Sequence, residues 1–152
     1  MNTRIAFGDV PKGIIASMMK VESYIHGTGL DPKMLELVRF RVSQINQCAY
    51  CIDMHFKLAV AAGEDAQRLY SVSAWEETDF YTESERAALR WAESVTSPGV
   101  HIDEQVAFTE LTRFFDQGQV ANLTLAVVQI NGWNRLARSF GFEPGSYSVG
   151  RN

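Results

Sequence analysis

Apolar residues recur at helical spacing along almost the whole chain. Ile14, Ile15, Met18, Val21, Tyr24 and Ile25 keep a period of three to four until Gly27 and Gly29 interrupt it. That is the pattern of a helix with one buried stripe. Asp9 followed by Pro11 marks its start, because a capping carboxylate and a first-turn proline both suit a helix N-terminus. Asp31 followed by Pro32 repeats the signal. Leu35, Val38, Val42 and Ile45 form the next stripe, with Arg39 and Arg41 to its sides. Asn46–Gln47 is the expected break, and a third helix over residues 48–62 ends at Gly63 as its C′ glycine.

Beyond Gly63 the pattern predicts a short helix around Ala66–Ser73 and then an irregular acidic and aromatic segment. Thr82 with Glu85 reads as a capping box, opening a helix through Leu89 and Trp91 that ends before Pro98–Gly99. Asp103 starts another, with Val106, Leu111, Phe114 and Phe115 as its apolar members. The last helix runs from about Gln117 to Phe140 and is closed by Gly141. No alternating strand pattern appears, so the expectation is an all-α domain of six or seven helices. In the last helix Leu123, Leu125, Ala126, Val127, Val128, Ile130, Trp133, Leu136 and Ala137 occupy more than one face. Such a helix is either central to the core or shared with another subunit. For a chain of this size the second is preferred, which makes a homo-oligomer the expectation.

Composition narrows the class. The 152 residues are near the modal domain size and can bury a core without staples, so one domain over 1–152 is expected. A formal net charge of −4 provides no basic footprint for nucleic acid. Stretches such as Leu123–Ile130 are far short of the ~20 apolar residues a membrane-spanning helix needs. Asp9 and Pro11 interrupt what would be a signal peptide, so a cytoplasmic protein is expected.

The chemistry concentrates between Glu36 and His55. Both cysteines of the chain, Cys48 and Cys51, stand there as Cys-x-x-Cys, with His55, one of three histidines, four residues further on. On a helix these three side chains fall within an arc of roughly 60°. If the chain folds back at Asn46–Gln47, position 36 lies opposite about position 57, one half-turn from His55. Glu36 then orients the imidazole and raises its basicity, and the imidazole deprotonates Cys51. Helical i,i+3 Cα atoms are about 5 Å apart, within the range a disulfide bridges. A cysteine near a helix N-terminus also gains thiolate character from the dipole.

Other readings of the same residues stay open. A purely structural disulfide would close a loop of about four residues, worth roughly 2 kcal/mol in the chain-entropy model. A cytoplasmic setting would keep such a pair reduced. A zinc site would need a fourth ligand beyond two cysteines and one histidine, and neither His26 nor His101 is tied to the motif by spacing. A buried cysteine pair with a satisfied histidine is the third. A redox-active dithiol, needing no metal and no cofactor, gives each position a reason. His26 suits a helix C-terminus, and His101, after Pro98–Gly99, suits a solvated loop.

Glu36, Cys48, Cys51 and His55, with Arg-Val-Ser-Gln-Ile-Asn-Gln-Cys-Ala-Tyr-Cys leading in, resemble the core of the AhpD-like alkylhydroperoxidases. These belong to the wider carboxymuconolactone decarboxylase superfamily. Leu-Thr-Leu-Ala-Val-Val-Gln-Ile-Asn-Gly-Trp-Asn-Arg is similar to that family's asparagine–tryptophan–asparagine–arginine helix, and the resemblance covers most of residues 30–141. It implies an all-α fold assembled as trimers or hexamers. It also implies a thiol-dependent peroxidase acting on hydrogen peroxide or organic hydroperoxides, reduced by a dithiol such as a lipoylated protein. One departure is Tyr50, where AhpD proper can carry a histidine; a tyrosine is a poor proton carrier near neutral pH. Two alternatives remain: a non-enzymatic helical oligomer whose dithiol senses redox state, and a decarboxylase-like enzyme, whose chemistry does not call for the dithiol. Trp133, Asn134 and Arg135 suit either an active-site mouth or a subunit contact.

Overall fold

Helix α2 (Pro32–Ile45) runs through the middle of the molecule and is buried on nearly every side. Asp31 caps it by accepting from the Lys33 N–H, and Pro32 occupies the first turn, as the Asp-Pro signal requires. The computed structural model describes residues 3–100 and 102–150. Around α2 stand α1 (Lys12–His26), α3 (Ala49–Ala61), α4 (Ala66–Ser71), α5 (Glu83–Thr96), α6 (Glu104–Leu111) and α7 (Gln117–Phe140). Short 3₁₀ turns cover Phe7–Asp9 and Val72–Glu77. Among the described residues there are seven α-helices and no strand. His101 lies outside the described residues.

The turn between α2 and α3 determines the site. Asn46 ends α2, and Gln47 takes a left-handed conformation at φ 53°. The Cys48 N–H donates back to the Ser43 carbonyl at 3.0 Å, and α3 leaves antiparallel to α2. At the far end Gly63, at φ 85°, stops α3, and the Lys33 Nζ donates to its carbonyl at 2.8 Å. The pair is thus tied at both ends.

Two apolar clusters share α2. Leu35, Val38 and Val42 pack with Ile25, Ala88, Leu111, Leu123 and Val127. Leu37 and Phe40 face the other way, onto Ala59, Leu69, Val72, Trp75 and Leu89. The Thr82–Glu85 capping box opens α5, and Asp116 with Gln119 forms a second one at α7. Gly141 closes α7 in the left-handed conformation.

Four sequence-based expectations change. Asp9 sits in the first 3₁₀ turn and caps nothing; Pro11 is the N-cap of α1. Val106 and Phe114 are exposed, while Ala107 and Leu111 are the buried members of their segment. Arg39 is buried rather than flanking, because carboxylates meet it inside the core. Most of α7's apolar excess is used within the chain: α1, α2, α3 and α5 all pack on it, burying Leu123, Ala126, Val127, Ile130 and Ala137. Val128 stays exposed.

Leu123→Ala should therefore lower stability by about 2–5 kcal/mol, read as a lower urea midpoint at unchanged slope. Val128→Ala should stay within about 0.5 kcal/mol at a concentration low enough to keep the chain monomeric. Equal losses for the two would show that the outer face of α7 is covered.

Candidate active site

The fold-back at Gln47 brings Glu36 of α2 against His55 of α3. His55 Nδ1 and Glu36 Oε2 are 2.7 Å apart, and the two residues are 5% and 7% exposed. The sequence register placed them half a turn apart; in the structure they bond directly. The second carboxylate oxygen, Oε1, accepts from Arg39 Nη1 at 2.7 Å. Arg39 Nη2 in turn donates to Glu22 Oε2 at 2.7 Å, and Trp133 Nε1 donates to Glu22 Oε1 at 2.9 Å. The chain of contacts therefore runs from α3 through α2 to α1 and α7.

Burial by itself would raise the Glu36 pKa. The hydrogen bond and charge of His55, with the charge and hydrogen bond of Arg39, outweigh it and hold the carboxyl below its ordinary range. Whenever His55 carries a single proton, an ionised Glu36 opposite Nδ1 holds that proton on Nδ1. Nε2 is then the basic atom, and it is buried with no hydrogen-bond partner among the described residues.

Cys48 is the N-cap of α3 and Cys51 lies in its first turn. They form a disulfide with Cα atoms 5.3 Å apart, and each is 1% exposed. Val10, Ala137 and Phe142 enclose them, and Tyr50 meets Phe142 edge-to-face at 5.5 Å between ring centroids. Burial, with Tyr147 and Asp53 nearby, pushes the Tyr50 phenol above its ordinary value, so it remains protonated at neutral pH. Tyr50 can donate a hydrogen bond here but cannot replace a histidine as base. Among the described residues no three His, Cys, Asp or Glu side chains converge to hold a metal ion.

The Trp-Asn-Arg run divides. Trp133 anchors Glu22, while buried Asn134 donates to Ser43 Oγ at 3.1 Å and accepts from Asn46 Nδ2 at 2.8 Å. Arg135 is exposed. Sequence reasoning missed Arg39 and Glu22 as part of the site. The i,i+3 spacing of Glu36 and Arg39 was a readable signal; Glu22 offered none, being on another helix.

A buried acid–imidazole pair beside a Cys-x-x-Cys at a helix N-terminus, in an all-helical domain, defines an AhpD-like protein. The carboxymuconolactone decarboxylase family pattern matches residues 14–94. The chain belongs to that family and is an AhpD-like member of it. It is 35% identical over 142 residues to the uncharacterized protein YdfG of Bacillus subtilis, covering 93% of this chain and 96% of that one. A solved protein of unknown function from Agrobacterium tumefaciens, likened to the antioxidant defence protein AhpD, is 33% identical. It superposes with a TM-score of 0.89 over 96% of this chain and all of the other. More distant structures share the fold. One is an alkylhydroperoxidase AhpD core from Ralstonia eutropha (19% identity, TM-score 0.76, covering 89% and 72%). Another is the debrominase Bmp8 (18%, 0.77, covering 86% and 70%).

Two outcomes test the network itself. Glu36 has a depressed folded pKa, so its stabilisation is present above the unfolded value of about 4.3 and is lost as pH falls through the folded one. Glu36→Gln should flatten that acid limb of the urea-stability profile; an unchanged limb would remove the Glu36 contribution. Arg39→Met leaves two carboxylates without their shared cation, and should cost about 3–5 kcal/mol in the same assay.

Proposed function

We propose that the protein is a thiol-dependent peroxidase that reduces hydrogen peroxide or small organic hydroperoxides with the Cys48–Cys51 pair. The observation that carries this is the buried Glu36–His55 pair, whose Nε2, without a partner among the described residues, belongs to a histidine four residues along the helix from Cys51. In the reduced protein His55 accepts the Cys51 proton and Glu36 steadies the resulting imidazolium. The Cys51 thiolate attacks the distal peroxide oxygen, the O–O bond breaks, and the leaving alkoxide takes a proton to become an alcohol, or water. Cys51 is left as a sulfenic acid. Cys48 attacks that sulfur, expelling water and closing the disulfide, and an external dithiol, such as a lipoylated protein, reopens it. Such a cycle suits a reducing compartment, the cytoplasm.

The Cys51 assignment rests on proximity to the base. The helix dipole favours a Cys48 thiolate by only ~0.3–1 kcal/mol at an exposed end, which a hydrogen-bonded base outweighs. Assembly as a trimer or hexamer is part of the proposal. It is supported by Met19, Tyr24 and Val128, which α1 and α7 leave exposed although the two helices pack together. Light scattering at micromolar concentration should report the closed oligomer, and a monomer there would refute it.

Peroxide consumption with dihydrolipoamide is the decisive assay. Sustained turnover is expected; one oxidation followed by arrest would point to a redox sensor. Cys48→Ser should react once and leave a trappable sulfenic acid at Cys51, whereas Cys51→Ser should not react at a comparable rate. Modification of Cys48 at wild-type speed in the Cys51→Ser protein would reverse the assignment and remove His55 as base.

A further inference from the structure

Near the C-terminal end of α7 lies a cavity of about 420 Å³ lined by Arg4, Asn46, Asn134, Arg135, Arg138 and Ser139. Three guanidinium groups thus share one concavity in a chain of net charge −4. Elsewhere Arg39, Arg41, Arg68 and Arg90 are paired with carboxylates. None of the three cavity arginines forms an ion pair among the described residues. Their hydrogen bonds go to backbone and amide oxygens. Arg4 Nε donates to the Ser139 carbonyl at 2.6 Å and its Nη2 to that of Arg138. Arg138 Nη1 donates to the Asn46 carbonyl at 2.8 Å, and Arg135 Nη1 to Asn131. These contacts hold the side chains in place near the end of α7. A guanidinium has five N–H donors, so each retains donors for a ligand while its position is already determined.

One of these arginines also borders a concavity that contains a sulfur. A narrow cleft of about 40 Å³ is lined by Cys48, Tyr50, Ala137, Arg138, Phe142 and Pro144. Arg138 belongs to both concavities. Cys51 does not line the cleft, so of the two sulfurs it is Cys48 that a molecule reaching in past Arg138 would meet. Apolar surface from Tyr50, Phe142 and Pro144 next to unpaired cations suits an organic acid, with a hydrocarbon stem and an anionic end, better than an inorganic anion.

We propose that Arg4, Arg135 and Arg138 bind the carboxylate of a small-molecule thiol reductant, and so direct its sulfur to Cys48 of the oxidised protein. This rests on the reading of Cys48–Cys51 as a disulfide that an external dithiol reopens. The reductant's thiolate attacks Cys48 Sγ; the Cys48–Cys51 bond breaks, and its electron pair leaves on Cys51. The reductant's second thiol then attacks its own first sulfur in the mixed disulfide and releases Cys48. Two electrons pass from the dithiol to the protein, and the dithiol's two protons end on the two cysteines.

Dihydrolipoate and dihydrolipoamide carry the same dithiol and differ in a carboxylate against a neutral amide. Single-turnover reduction of the oxidised protein by each, followed as thiol release at low ionic strength, should favour dihydrolipoate by about tenfold. Added salt should shrink the preference. Arg135→Gln and Arg138→Gln should each bring the ratio toward one by slowing dihydrolipoate alone. Arg113→Gln, an exposed charge outside the cavity, should leave it unchanged. Equal rates in the wild type, or a preference that survives both cavity substitutions, would overturn the inference while leaving the dithiol cycle standing. So would a carboxylate preference confined to the hydroperoxide arm, tested with an acidic against a neutral hydroperoxide. A preference for dihydrolipoate without peroxide turnover would uphold the inference and sink the peroxidase reading. A disulfide opened by neither reagent nor by dithiothreitol would end both.

Discussion

The carboxylate of Glu36 is divided between two partners, and the arrangement of the helices follows from that division. One oxygen meets Arg39 on the same helix, the other His55 on the next. A buried carboxylate is tolerable only when both oxygens are engaged. Arg39 is buried as well, and its second nitrogen calls for another anion, which Glu22 provides from α1. Trp133 on α7 completes Glu22. Four helices are thus held in register by one polar chain through a largely apolar interior, and a slip of any one would strand a charge.

That chain also makes the two ends of the imidazole unequal. Nδ1 is committed to Glu36, whereas Nε2 lies buried with no partner among the described residues. An unsatisfied buried nitrogen is costly, and such groups are found where chemistry uses them. The cysteines differ in a matching way. Cys51 shares the helix face of His55, and Cys48 caps the helix and lines the cleft. A thiol near the base and a thiol on the cleft wall suit the proposed division between attack and exchange. The fold alone does not dictate that chemistry, since a debrominase shares it.

Tyr50 shows how the surroundings limit a residue's role. Its ring closes the apolar wall with Phe142, and burial keeps the phenol protonated. The position serves packing, and in the proposed cycle proton transfer falls to His55.

Local signals determined the helices. Asp31-Pro32, the Thr82–Glu85 capping box, Gly63 and Gly141 act within one turn of themselves, so their effect is legible in a short window. The spacing of Cys48, Cys51 and His55, and the fold-back that opposes Glu36 to them, needed only helical geometry and one break at Asn46–Gln47. What the sequence could not disclose depends on contacts between distant segments. Arg39 looked like a solvated flank because nothing local distinguishes a surface arginine from one met by carboxylates in the core. Asp9 looked like a cap, yet the chain spent it in a 3₁₀ turn before Pro11. The apolar excess of α7 read as a subunit face, but four helices of its own chain cover most of it. The three arginines of the cavity come from positions 4, 135 and 138; the last two are an i,i+3 pair legible on one helix, and only tertiary packing, by bringing the N-terminal segment onto the end of α7, could add the first.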